Sequence, residues 1–392
     1  MEYSENRLLD LSYARRPKMG KADTPFAVLT LLLLAIGVMM VLSASFARAY
    51  YDPDKKATYY FTRQFCFALS GCGIMYLASL IPISFFRRWA LPSLGCALVL
   101  LLLVLAAGTE ANGAKRWFSI AGISFQPSEI AKLAVILFDA QLICKYKGKM
   151  HSFAYGVFPF ALVAVSVVGL LILEPHLSAS IIILGVTAAM MFMGGTALKW
   201  FLILGSVAAA ALGIMAFGMD YSSDRISAWL DPFADSSDTG YQIVQSLYSI
   251  GSGGLTGLGL GQSRQKNLYL PEEHNDFIFA VVCEELGFIG ACAILILFAL
   301  LILRGFWLAM HCRDRYSVLV CGGISSLLAI QVILNVAVVT NLVPCTGISL
   351  PFFSYGGTAL WLQLGEMGII LSASRSVNEK INKGSKKIAS TV

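Results

Sequence analysis

Residues 25 to 46 read PFAVLTLLLLAIGVMMVLSASF, a stretch without a single charge. At 1.5 Å of rise per residue a helix of this length crosses a hydrocarbon core of about 30 Å. The pattern recurs along the chain. Further apolar stretches cover Phe65 to Ile81, Trp89 to Ala107, Ile130 to Cys144, Phe153 to Leu173, Leu177 to Met193, Trp200 to Phe217, Phe277 to Leu303, Val318 to Val339 and Thr358 to Leu371. The expected fold is an all-α polytopic membrane protein of about ten transmembrane helices, with a large extracytoplasmic loop between the seventh and eighth.

Composition agrees. Of 392 residues, 57% are hydrophobic and 13% charged, where a soluble domain carries about 25% charged residues. Basic residues accumulate in cytoplasmic loops. Placing the N-terminus inside puts nineteen of the 29 Lys and Arg on the cytoplasmic side, in the two tails, at Arg87 and Arg88, at Lys145, Lys147 and Lys149, at Lys199, and at Arg304, Arg313 and Arg315. Both termini are therefore expected in the cytoplasm. The net charge of +6 reads as a topology signal, and no nucleic acid is expected as partner. Nine cysteines contain no C-x-x-C pair and lie in spans or at cytoplasmic edges except Cys345, so neither zinc nor a disulfide framework is indicated.

The expected organisation is a cytoplasmic N-tail over 1–24, one membrane domain over 25–374 with an extracytoplasmic loop at 218–276, and a cytoplasmic C-tail over 375–392 whose Lys-rich stretch, Lys380 to Lys387, reads as a disordered flank. No clear internal repeat is visible. The long loop contains acids at Asp220, Asp224, Asp231, Asp235 and Asp238, then Ile243, Val244, Leu247, Tyr248 and Ile250 at helical spacing, which suits a short helix at the membrane surface. A turn with Gly251, Gly253, Gly254, Gly257, Gly259 and Gly261 follows. Gln265, Lys266, Tyr269, Pro271, Glu272, His274 and Asp276 then lead into the eighth span, where chemistry is expected.

Ionisable residues inside spans need a partner or a task. Glu129 and Lys132 stand three apart on one helical face. Two readings fit: a self-neutralising pair, or a seat for an anionic lipid headgroup supplemented by Lys115 and Arg116. Glu284 and Glu285 lie about 12 Å along the eighth helix from Asp276, and at least one should face the bundle interior. Asp276 itself suits a helix N-cap. It equally suits a reactive carboxylate at the external mouth, beneath a glycine-rich loop able to lie close to a phosphate.

Three long motifs carry a resemblance. GSGGLTGLGLGQSRQKNLYLPEEHNDFIFAVVCEELG from Gly251 to Gly287, RWFSIAGISFQPSEIAK from Arg116 to Lys132, and GISLPFFSYGG from Gly347 to Gly357 resemble the SEDS family (shape, elongation, division and sporulation) of FtsW, RodA and SpoVE proteins. The resemblance covers nearly the whole chain. It implies a peptidoglycan glycosyltransferase that polymerises lipid II, the undecaprenyl-pyrophosphate-linked disaccharide-peptide, on the outer membrane face, beside a class B penicillin-binding protein and other divisome proteins. Asp276 falls on the family's essential aspartate, the proposed general base. The substrate-binding set it implies contains Lys115, Arg116, Gln126, Glu129, Lys132, Gln265, Lys266, Glu272 and His274, with Glu284, Glu285, Ser354, Tyr355, Gly356 and Gly357 in supporting positions. The pyrophosphate leaving group calls for cations or a divalent metal, magnesium or manganese, to take up its charge. Where the family usually carries a P-D-L-G-T-like motif, this chain has Glu174, Pro175, His176, Leu177, Ser178 and Ala179, with histidine in place of the acid. The stretch from Asn335 to Tyr355 is more similar to the division and sporulation branch than to the elongation-type, RodA-like one. A lipid II flippase, its path lined by Glu129, Lys132 and Glu284 or Glu285, is the alternative from another functional class.

Overall fold

The computed structural model describes residues 20–111, 114–120, 123–206, 229–234 and 240–389. Helix α1 (Thr24–Tyr51) starts where the Asp23 carboxylate accepts from Phe26 N at 3.0 Å, and Arg304 from a distant helix holds the same carboxylate at 2.7 Å. It is followed by α2 (Tyr59–Leu80) and α3 (Ile83–Ala107). A meander of β1 (Thr109–Ala111), β2 (Ala114–Ile120) and β3 (Ile123–Phe125) is the one departure from all-helical architecture among the described residues. Lys115 opposes Glu110, and Phe118 opposes Phe125; these antiparallel pairs satisfy backbone groups of a loop that returns over the helix ends.

The second half of the bundle comprises α4 (Pro127–Lys145), the single turn α5 (Phe153–Gly156), α6 (Phe158–Leu173) and α7 (Leu177–Gly194). After the loop region come α8 (Tyr241–Gly253), α9 (Ile278–His311), α10 (Arg315–Val339) and α11 (Gly357–Ala389). Among the described residues six helical segments, α5 and α6 together counting as one, are long and apolar enough to cross a membrane, and α2, α4 and α11 have the length while carrying more polar positions. The chain is a multi-pass membrane protein. The seventh expected span is helical through residue 206; the rest of it, and the acids Asp220, Asp224, Asp235 and Asp238, lie outside the described residues. Helix α10 forms the axis, with 72% of its most apolar window buried against 28% for α3 and α9. The outward faces of those two, with Leu102, Leu103, Ile296 and Leu303 exposed, suit a hydrocarbon solvent.

The expected short helix is α8, where Ile243 and Val244 are buried and Ser246 and Ser249 donate to carbonyls of Val339 and Ala280, while Tyr248 stays exposed. One expectation changes in the structure. The stretch from Lys380 to Lys387, expected as a disordered flank, lies on α11.

The glycine-rich turn is the most unusual element. Helix α9 breaks at Gly287, whose φ is 67°. The carbonyls of Glu284 and Glu285, released from the helical ladder, accept from Leu258 N and Gly259 N at 3.0 Å each. Phe288 N and Ile289 N return bonds to the carbonyls of Gly254 and Leu255. The loop thus inserts its own backbone into a broken helix, satisfying groups that hydrocarbon would leave bare. Both carboxylates serve the same loop. Glu284 accepts from the Ser249 and Ser263 hydroxyls and Arg264 N, and Glu285 pairs with Lys266 at 2.8 Å and with Ser43 of α1 at 2.6 Å.

Candidate functional site

A cavity of about 310 Å³ opens between β2, the start of α4, the 176–182 segment, the loop before α9 and the 347–356 loop. Asp276 lines it. The N-cap of α9 is Phe277, and no side chain caps that terminus, so the Asp276 carboxylate is not consumed as a cap. It lies against Gly347, whose φ is 63° and where an added Cβ would stand 3.0 Å from Asp276 Oδ2. Glycine there keeps the carboxylate open to the cavity.

The backbone around Asp276 is held from three sides. Asn335 Nδ2 on α10 donates to Asp276 O at 2.8 Å and to Ile348 O at 2.6 Å. Ser354 Oγ donates to Asn275 O at 2.8 Å, and Tyr355 N donates to His274 O at 2.9 Å. Gln64 on α2 joins them, donating to Ser354 O and accepting from Gly356 N. Burial and the nearby Glu272 carboxylate push Asp276 up to about 6, while Arg116 acts in the opposite direction. A carboxylate in that range is ionised at neutral pH and basic enough to accept a proton.

Arg116 and a buried ion pair line the same cavity. Lys132 Nζ pairs with Glu129 Oε1 at 2.8 Å, both lining the cavity, and Glu366 of α11 is close enough to feel their charges. Arg116 donates through Nε to Glu174 O at 3.1 Å and through NH2 to Pro175 O, so β2 pins the loop that carries His176. Burial raises Glu174 to about 7, against the pull of Arg116. Burial together with Arg116 and Lys132 holds His176 down at about 3, and its ring faces Gln126 with the two Nε2 atoms 3.4 Å apart.

Of the residues singled out in the sequence, the structure brings Arg116, Gln126, Glu129, Lys132, Glu272, Asp276, Ser354, Tyr355 and Gly356 to one cavity. Lys115 is exposed on β2. Gln265 and Lys266 belong to the loop bound by Glu284 and Glu285. His274 packs under Tyr60 and Tyr355 at ring separations of 4.8 and 5.8 Å, and Gly357 abuts the Phe67 ring. Gln331 and Gln363 also line the cavity without any motif signal of their own, polar positions inside α10 and α11 being the available clue, and Asn275 from the run before the eighth span joins them. Among the described residues no three His, Cys, Asp or Glu side chains converge as metal ligands.

The profile of the FtsW, RodA and SpoVE family, described as cell cycle protein, matches residues 24–379. The chain is 39% identical over 360 residues to stage V sporulation protein E of Bacillus subtilis, covering 91% of this chain and 98% of that protein. It is 38% identical over 370 residues to a probable peptidoglycan glycosyltransferase FtsW of Trichlorobacter lovleyi, covering 93% and 96%. Among solved structures it matches a chain of a peptidoglycan synthase complex studied for the coordination of polymerization and crosslinking, with TM-score 0.75, 30% identity and coverage of 90% and 98%. The crystal structure of Thermus thermophilus rod shape determining protein RodA aligns with TM-score 0.67 at 29% identity, covering 91% and 97%.

Proposed function

The chain belongs to the FtsW, RodA and SpoVE family of cell cycle proteins, and on that premise we propose that its cavity is the glycosyl-transfer site of a peptidoglycan glycosyltransferase. The supporting observation is polarity: a carboxylate raised to about 6 lines the same cavity as Arg116 and Lys132. Asp276 takes the proton of the acceptor sugar hydroxyl as that oxygen bonds to the anomeric carbon of a second lipid-linked sugar. The bond from that carbon to pyrophosphate breaks, and polyprenyl pyrophosphate leaves with its charge facing Arg116 and Lys132. A pyrophosphate leaves without protonation, so one carboxylate suffices where a glycosidase uses two.

The substrate in this reading is lipid II. A class B penicillin-binding protein is the proposed partner, supported by the match to a peptidoglycan synthase complex, with other divisome proteins around it. Identity of 38–39% to SpoVE and FtsW proteins against 29% to the RodA structure favours division or sporulation over elongation. The charge asymmetry of the loops supports one membrane domain over 25–374 in the bacterial cytoplasmic membrane, with both tails cytoplasmic.

The test is lipid II polymerisation by the purified protein with its penicillin-binding partner, transpeptidase intact, comparing wild type with Asp276→Asn. Glycan strands from wild type alone are expected. Translocation of lipid II in liposomes without strands from either protein would move the assignment to a flippase.

A further inference from the structure

His176 shares the cavity with Asp276, yet the transfer chemistry above does not use it. Its place is built. Arg116 fastens the carbonyls of Glu174 and Pro175, the two residues before it, and Ser180 Oγ donates to its own carbonyl at 3.1 Å. Gln126 stands against Nε2 at 3.4 Å, while Nδ1 is buried with no hydrogen-bond partner in the protein. A buried ring nitrogen without a partner is costly unless a ligand changes its surroundings.

We propose that His176 is a latent cation of the leaving-group wall, neutral in the protein alone and protonated when a pyrophosphate binds beside Arg116 and Lys132. This inference rests on the reading of the cavity as the glycosyl-transfer site and assigns the place of the pyrophosphate within it.

The physical reason is charge balance. Arg116 on β2 and Lys132 on α4 oppose a third positive charge, and burial opposes it further. Glu129 offsets part of Lys132 through their ion pair. Glu272 and Asp276 are the other acids lining the cavity, Glu174 lies two residues before His176 on its own loop, and Glu366 of α11 stands near Lys132 and Glu129. A pyrophosphate brings negative charge directly onto the cationic wall, which reverses the field at the ring. An opposite charge at contact distance raises a histidine by up to about three pH units, from about 3 to about 6.

The experiment measures the affinity of the purified full-length chain for farnesyl pyrophosphate between pH 5 and 8, for wild type and His176→Gln. Protonation of the ligand, and of Glu174 and Asp276, is common to both proteins and cancels in the ratio of affinities. A shift to about 6 makes wild type bind about twofold tighter than the variant at pH 6 and about tenfold tighter at pH 5, relative to their ratio at pH 8. A second variant, His176→Asn, should show the same pH-dependent gap. A flat ratio across the range overturns the proposal, and so does absence of pyrophosphate binding by wild type. Asp276→Asn separates the two assignments. It should lose polymerisation and keep the pH-dependent tightening; if it polymerises, the proposed function fails while the binding result is judged on its own.

Discussion

Asn335 Nδ2 reaches the carbonyl of Asp276 at 2.8 Å and that of Ile348 at 2.6 Å, so one carboxamide on the axial helix locks the two loops that meet at the reactive carboxylate. Asn335 is fully buried, and its removal leaves both carbonyls without a donor. Asn335→Leu should cost about 1–3 kcal/mol of stability. It should also lower kcat about 10- to 100-fold with KM little changed, since a misplaced base affects the transition state more than binding. A KM effect of the same size with kcat intact would show that Asn335 shapes binding and not Asp276.

Asp276 is expected to impose a rising limb on kcat/KM against pH, centred near 6, because the carboxylate must be ionised to accept a proton. The stability effect has the opposite sense. Its folded value lies above the ordinary 3.8, so stability is intact below about pH 4 and declines as pH rises through 6. Asp276→Asn should therefore lose about 10²- to 10⁴-fold in rate while melting slightly higher than wild type at pH 8. Equal melting temperatures at pH 8 and a wild-type rate would each count against this assignment.

Breaking the Glu129–Lys132 pair from one side should be worse for the fold than removing it whole. Lys132→Met leaves Glu129 buried near Glu366 with no cation, a loss of about 3–5 kcal/mol. The double variant Glu129→Gln, Lys132→Met should recover much of that stability but not polymerisation, since the proposed mechanism sets Lys132 against the leaving group. Thermal unfolding in detergent across the four members of the cycle measures the coupling; additive losses would mean the pair is not a unit.

Gly287 combines a φ of 67° with backbone contact on the inserted loop, where an added Cβ would come within 2.6 Å of Leu255 O. Gly287→Ala should expel the 254–266 segment at a cost of about 1–3 kcal/mol. Faster proteolytic cleavage within that segment, relative to the rest of the chain, is the readout.

Much of this was legible because the chemistry is local. Three-residue spacing placed Glu129 and Lys132 on one face, and the run before the eighth span pointed to Asp276. Spacing could not decide whether Asp276 capped its helix, since that depends on where α9 starts, one residue later than a cap would require. Lys266 and Gln265 precede Asp276 by ten and eleven residues in the same motif, yet the break at Gly287 draws them to Glu284 and Glu285. Conversely Gln331, Gln363 and Asn335 come from helices whose apolar runs gave no hint of what their polar positions face. Convergence of α2, α4, α10 and α11 is a property of packing, and a pattern confined to one helix does not contain it.

The hooked loop also bears on biogenesis. Glu284 and Glu285 would each resist entry into hydrocarbon by about 2.5–3.5 kcal/mol at mid-depth if α9 entered alone. Their partners, Ser43, Ser249, Ser263 and Lys266, all precede them in the chain and leave the ribosome earlier. Helix α9 is therefore made only after every one of these groups, so that a partner for each carboxylate already exists when the span reaches the membrane.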